Sequence, residues 1–322
     1  MRNGIAVAGT VIVDKIHTVN AYPKVGELTK ITSTDKGVGG CVPNVAVDIK
    51  KICPEIEMFA IGRIGKDDDG EFVKQTLNNN GVNTESMVFD KDRTSFTEVI
   101  SVSGGERTFF TYAGASANFG YNDVDVDNIS VSHLHLGYFL LLNKIDGGDG
   151  EKLLKKAQEK GIKTSIDLVS ENSNRYSLVL PVLKYTDNLI INEVEAGNLT
   201  NITPTITNLE LIARKLKEFG VKERVIIHSP EVGVCFSSHG FTLLPSYDLP
   251  KGYIKGSTGA GDAFCSGALV GIYKNLSDKE ILELASSVAV TSLSSKDATA
   301  GILTQTETVE FCKRFKRKEL CW

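Results

Sequence analysis

The sequence predicts an α/β protein with a mostly parallel sheet covered by helices on both faces, and two observations carry that prediction. Short uncharged runs, beginning with Ile5-Ala6-Val7-Ala8-Gly9 and Met58-Phe59-Ala60-Ile61-Gly62, alternate with longer helical stretches. Several of those stretches stop at a glycine just before the next apolar run, as in Glu159-Lys160-Gly161-Ile162 and Glu218-Phe219-Gly220-Val221. Glycine supplies the left-handed residue that ends a helix before a buried strand. Strands alternating with helices pair in parallel, since each crossover brings the chain back in the same direction.

The elements follow in order. The strand at 5–9 is succeeded by a helix over 43–53 and a strand at 58–62, and a helix over 70–79 begins at Gly70. The run 133–137 is the next buried strand, and helix 150–160, strand 163–167, helix 177–184 and strand 188–192 keep the alternation. Helix 208–219 and strand 224–228 complete it, and a further helix begins near Asp262. Two segments break the rhythm: 15–36 and 93–113 alternate with a period of two, as in Thr97-Glu98-Val99-Ile100-Ser101-Val102. With Gly104-Gly105 as a hairpin turn before Arg107-Thr108-Phe109-Phe110, they read as a small antiparallel flap inserted into the body. Nothing resembling a linker splits the chain, so residues 1–322 are expected to form a single domain.

Composition narrows the function classes. Of 322 residues 41% are hydrophobic and 24% charged, which fits a globular protein. A formal charge of −4 argues against a nucleic-acid partner, because phosphate neutralisation needs clustered cations. The one basic run, Lys313-Arg314-Phe315-Lys316-Arg317-Lys318, reads as a solvated tail end belonging to a last amphipathic helix. The six cysteines form no C-x-x-C pair, and there is neither a signal-peptide pattern nor a long apolar run. A cytoplasmic protein with no membrane span is expected.

In such a fold the binding crevice lies beyond the carboxyl ends of the strands, where Asp14, Asp167, Asn192 and His228 fall. Two glycine-rich turns open helices. Gly259-Ala260-Gly261 lets backbone amides approach a ligand, and the following helix adds its positive end, so the turn can hold an anion. Asp262 beside it is either a base taking the proton of an attacking hydroxyl or an ordinary helix-capping residue. Gly37-Val38-Gly39-Gly40 precedes a second helix, with Asn44 in its first turn.

These motifs together resemble the ribokinase-like, or PfkB, carbohydrate kinases. Gly39-Gly40 with Asn44 matches the first signature of that family, and Gly259-Ala260-Gly261-Asp262 matches the core of the second. The segment ending in Asp14, the turn Gly65-Lys66-Asp67-Asp68-Asp69-Gly70 and Asn192-Glu193-Val194-Glu195 agree in order, so the resemblance covers nearly the whole chain. It implies a three-layer ribokinase-like sandwich with a β lid, and ATP-dependent phosphorylation of a sugar hydroxyl. Asp262 would be the base, and Gly259, Ala260 and Gly261 the anion hole. Asp14, Gly39, Gly40 and Asn44 would hold the sugar, with Arg107 of the lid and Asp167 as further candidates. Asp167 is equally a loop cap. Thr258 and Gly233 would border ATP, and Asn192 and Glu195 would arrange the waters around Mg²⁺. Without the resemblance, Asn192 and Glu195 read as a helix cap with a solvated partner.

The pattern is broken in two places. Gly256-Ser257 stand where Asp-Thr is usual, and that Asp helps hold K⁺ in members that need it, so K⁺ dependence is expected to be weak or absent. His228-Ser229-Pro230-Glu231-Val232-Gly233 keeps only the last glycine of the usual nucleotide loop, and Pro230 lacks an amide hydrogen. His228 itself reads as a hydrogen-bonded residue, and Cys41 as small packing. A nucleoside kinase, a 6-phosphofructokinase-type enzyme with Lys36 and Arg107 as its spare cations, and a catalytically weak sugar-binding protein are the alternatives. A lid edge strand of this family often pairs with a second subunit, so a homodimer is expected.

Overall fold

The computed structural model describes residues 3–102, 107–170 and 174–320. The chain runs from β1 (Ile5–Ala8) into β2 (Ile12–Val19) and β3 (Ile31–Gly39), then through α1 (Cys41–Ile52) to β4 (Met58–Ile61). A short β5 (Arg63–Gly65) precedes α2 (Asp68–Asn79), and β6 (Val88–Asp90) leads to β7 (Phe96–Val102) and β8 (Arg107–Tyr112). Next come β9 (His133–Phe139), α3 (Gly150–Glu159), β10 (Lys163–Leu168) and α4 (Leu180–Leu183). They are followed by β11 (Asn188–Asn192), α5 (Glu193–Thr200), α6 (Leu209–Glu218) and β12 (Arg224–His228). A hairpin of β13 (Val232–Ser237) and β14 (Gly240–Pro245) precedes α7 (Ala260–Tyr273), α8 (Asp278–Ser292) and α9 (Gln305–Cys312).

Eight strands form one sheet in the order β14-β13-β12-β11-β10-β9-β1-β4. Pairings from β12 to β4 are parallel, and the final hairpin adds two antiparallel strands at one edge. Alternate strand residues face opposite layers, as the period of a strand requires. Ile5, Val7, Ile190 and Ile226 join the core under α1, α2, α7 and α8. Ala6, Ala8, Leu189, Ile191, Val225 and Ile227 join the core under α3 to α6. The chain departs from β1 in both directions, to β4 on one side and to β9 on the other. That switch point, flanked by the N-termini of α1 and α7, is where a crevice opens.

The expected flap is a second sheet, in the order β3-β2-β7-β8. Its outer pairs are antiparallel, and the central β2–β7 pair is parallel. The two excursions leave the body from separate points but in the same direction, so the strands that meet in the middle run alike. Asp67 anchors the second excursion: it caps α2 through the Gly70 amide and accepts from both the Thr94 amide and its hydroxyl. The expected turn at Gly104-Gly105, with Glu106, lies outside the described residues.

Three expectations need correction. The helix placed at 177–184 is a 3₁₀ turn, Arg175–Val179, followed by the short α4; Pro181 sits in the first turn of α4 because it has no amide to donate further in. The basic run is not part of a last helix, since α9 ends at Cys312. Arg317 stacks on Tyr247 and donates to the Pro245 carbonyl, Phe315 packs against Tyr253, and Lys318 reaches Pro230 and Glu231. These contacts tie the segment to the edge of the body. Finally, α5, the β13–β14 hairpin and α8 add elements that the alternation alone does not anticipate.

Candidate active site

Asp262 lies in the first turn of α7, directly after Gly259, whose φ of 80° is left-handed. A Cβ at Gly259 would fall 2.5 Å from that of Ala298, so both conformation and space demand glycine. The Ala260 amide bonds to Ser257, and the first intrahelical bond is Ala263 to Gly259. The amides of Gly261 and Asp262 therefore point past the helix end, as first-turn amides do. Together with the positive end of a fourteen-residue helix they form a place for anionic oxygens.

Only 5% of Asp262 is exposed, and its Oδ2 accepts from Asn44 Nδ2 at 2.8 Å and from Tyr138 Oη at 3.0 Å. Burial, reinforced by the nearby Asp167 carboxylate, pushes Asp262 up to about 6. The group is a carboxylate at neutral pH yet basic enough to take up a proton. Asn44 contributes a second feature: with Nδ2 on the carboxylate, its buried Oδ1 finds no partner among the described residues. A buried acceptor of this kind is costly unless a ligand donor completes it.

Asp14 extends from β2 over the Gly39 backbone; a Cβ on Gly39 would lie 2.5 Å from the Asp14 carboxylate. Burial and the charge of Asp297 raise Asp14 to about 6. Gly40 caps α1 with a φ of 85°. The expectation for Cys41 holds: its thiol is wedged where a Cβ on Gly9 or Gly137 would clash, and burial drives its pKa well up, so it stays a thiol.

Sequence reasoning missed Tyr138. It lies next to the end of β9 with a φ of 59°, unusual for a non-glycine residue, and its amide donates to Asp167 Oδ1 at 2.5 Å. The amide that Asp167 caps here belongs to the Tyr138 turn, 29 positions earlier in the chain, and this turn aims Tyr138 at Asp262. The signal available was position alone, since Tyr138 directly follows the strand that closes with Gly137.

A cavity of about 210 Å³ brings together Asp167, Asn192, Glu195, Gly259, Gly261 and Asp262. Asn192 and Glu195 form a reciprocal cap on α5, and Ser170 bridges their side chains. The helix-cap reading was right in form, but Glu195 is buried rather than solvated, and burial raises it to about 7. The carboxyl and amide oxygens of Asn192 and Glu195 on this wall are the donor type a hard dication such as Mg²⁺ takes.

A larger cavity of about 640 Å³ adjoins it, with Gly233, His228, Pro230, Ser257 and Phe264 on its walls. His228 meets Phe264 at 4.7 Å between ring centres, and burial lowers it to about 4. Among the described residues its contact is thus ring packing rather than the expected hydrogen bond. At the Pro230 turn, Ser229 Oγ takes the amides of both Glu231 and Val232. Above the anion turn the lid makes contact, with Arg107 Nη1 3.4 Å from Thr258 Oγ1. Lys36 is committed elsewhere: with Lys15 it clasps Asp69, each at 2.7 Å.

Comparison with known proteins agrees with this geometry. The family model described as pfkB family carbohydrate kinase matches residues 2–305. The chain is 26% identical over 296 residues to a fructokinase of Vibrio alginolyticus, covering 87% of this chain and 93% of that one. Its fold superposes on an Arabidopsis thaliana ribokinase complexed with ribose and ATP with a TM-score of 0.81, at 20% identity, covering 97% of this chain and 99% of the other. A nucleoside kinase of Methanocaldococcus jannaschii superposes with a TM-score of 0.78 at 19% identity, with coverage of 97% and 99%. The chain belongs to the pfkB family of carbohydrate kinases and is an ATP-dependent kinase acting on a sugar hydroxyl.

Proposed function

We propose that the acceptor is a small free sugar of the fructose or ribose kind and that Asp262 is the general base. The observation that carries this reading is the unpartnered Asn44 Oδ1 beside the Asp262 carboxylate. A sugar hydroxyl that donates to Asn44 Oδ1 is held next to Asp262 Oδ2. The attacking hydroxyl gives its proton to Asp262 as its oxygen bonds to the γ-phosphorus and the bond to the β-phosphate oxygen breaks. The amides of Gly261 and Asp262 hold the charge on the transferred group.

Asp14, with the Gly39-Gly40 backbone, takes further sugar hydroxyls, and Arg107 closes over the anion turn. ATP occupies the larger cavity past Gly233, with Thr258 at its phosphate end. Asn192 and Glu195 would hold Mg²⁺ through water, and the ion would supply charge neutralisation to the phosphates. At position 256 a Cβ would already lie 3.0 Å from the Ser295 carbonyl, so the local loop is shaped for glycine, in keeping with weak K⁺ dependence. The pairing of Lys36 with Asp69 weighs against a second phosphate on the substrate.

No helix among the described residues is long and apolar enough to cross a membrane, and we place the protein in the cytoplasm. We also propose a homodimer through the lid, supported by the edge strand β8 with exposed Phe109, Phe110 and Tyr112. A single-chain mass in solution at micromolar concentration would exclude it.

The test of the function is ATP consumption with Mg²⁺ against free sugars, sugar phosphates and nucleosides. Turnover on one free sugar, reduced about 10²–10⁴-fold in Asp262→Asn with sugar binding retained, is expected. Preference for a nucleoside or a sugar phosphate would overturn the substrate reading, and undiminished turnover in Asp262→Asn would overturn the base.

A further inference from the structure

Next to the base, three metal-ligating side chains of different chemistry converge from β9, β10 and α7. His135 Nε2 lies 3.6 Å from Cys265 Sγ and 3.5 Å from Asp167 Oδ2. One ligand atom from each lies within 4.8 Å of the other two, and all three residues are buried. The mechanism proposed above uses neither His135 nor Cys265.

The separations match a coordination sphere. A tetrahedral zinc ion, with bonds of about 2.0–2.1 Å to nitrogen and oxygen and about 2.3 Å to sulfur, spaces its ligand atoms about 3.3–3.6 Å apart. Two of the three edges already have that length, so a modest approach of Cys265 to Asp167 completes the triangle. Ser165 Oγ lies 2.9 Å from His135 Nδ1 and is placed to accept its proton, the tautomer that turns the Nε2 lone pair toward the cluster. Asp167 and Cys265 both border the 210 Å³ cavity, which leaves a fourth position open.

We propose that His135, Cys265 and Asp167 bind one zinc-class dication and that its binding inhibits phosphoryl transfer. Binding replaces the Cys265 thiol proton, which passes to solvent, so the ion is held by thiolate, imidazole and carboxylate. A nitrogen and a sulfur ligand select a borderline-soft ion over Mg²⁺, which prefers oxygen. Asp167 Oδ1 also holds the Tyr138 turn that contacts Asp262. An ion on Asp167 Oδ2 therefore brings positive charge beside the base, lowers its basicity and occupies the cavity. The inhibition rests on Asp262 being the base; the binding does not.

Co²⁺ is the probe, since a cobalt–thiolate bond absorbs in the near ultraviolet and needs no substrate. Titration of the metal-free protein should give a charge-transfer band that saturates at one Co²⁺ per chain and is displaced by Zn²⁺. The band should vanish in Cys265→Ser, and Ser165→Ala should bind about 10–100-fold more weakly. In buffered Zn²⁺ with saturating Mg-ATP, turnover of the natural chain should fall and recover with chelator, and the ratio with and without chelator should return to one in Cys265→Ser. No band, or a band unchanged in Cys265→Ser, overturns the site. A band with turnover insensitive to Zn²⁺ overturns the inhibitory role.

Discussion

Asn44 Nδ2 donates to Asp262 Oδ2 at 2.8 Å across 218 positions of sequence, so α1 reaches a residue in the first turn of α7. The bond orients one carboxylate oxygen and at the same time leaves the buried Asn44 Oδ1 without a partner among the described residues. The helices opened by two separate glycine turns are thereby joined side chain to side chain.

Asn44→Ala is expected to lower kcat/KM about 10–100-fold, since it removes a hydrogen bond to a charged group, worth about 1.5–3 kcal/mol, along with the acceptor proposed for the substrate. Because that bond favours the ionised form of Asp262, its loss moves the acid limb of the pH profile upward. Steady-state kinetics of the variant between pH 5 and 8 would reveal both changes, and an unmoved limb would show that Asn44 does not act on Asp262.

For the natural protein at saturating Mg-ATP, kcat should decline as pH falls through about 6, where burial and Asp167 place Asp262. Protonated Asp262 cannot accept the hydroxyl proton, so each further unit of acidity should cost about tenfold. A rate that stays flat down to pH 5 would contradict the assignment.

Gly259→Ala is expected to lose both stability and turnover. The backbone is left-handed there and Ala298 stands 2.5 Å from the new Cβ, so relief requires the anion turn to shift. Strain of this kind costs about 1–3 kcal/mol. Thermal unfolding would measure it, and an unshifted melting temperature would show that the turn adapts.

Asp48, in α1, is 0% exposed, and neither carboxylate oxygen finds a partner among the described residues. Burial and repulsion from Asp262 outweigh Lys51 and hold its pKa well above the usual range. A carboxyl whose folded value exceeds its unfolded one of about 3.9 takes up protons on folding, so its contribution to stability is full at low pH and is lost as pH rises. Asp48→Ala should therefore stabilise the protein by about 1–3 kcal/mol at pH 8 and by less at pH 5. Denaturant melts at the two pH values would decide, and a gain confined to acid would reverse the sign of the argument.

Adding K⁺ at constant ionic strength should change turnover less than about twofold, in contrast to the tenfold or larger effects expected of groups that stabilise transition-state charge directly. A strict K⁺ requirement would overturn the reading drawn from Gly256.

Much of this protein was legible in its sequence, because periodicity and glycine punctuation act locally. Apolar runs with glycine stops determined the alternating elements. The adjacency of Gly259-Ala260-Gly261 to Asp262 determined a glycine turn at a helix start with a carboxylate in its first turn. The tertiary structure alone decided the rest. It alone brought Asn44 to Asp262, used Asp167 to hold Tyr138, spent Lys36 on Asp69 and set the parallel join of the lid. It also pinned the basic run to the Tyr247 edge. Each of these depends on contacts between segments far apart in the chain, and burial, which sets the Asp262 and Glu195 carboxyls near neutrality, exists only once those segments have packed together.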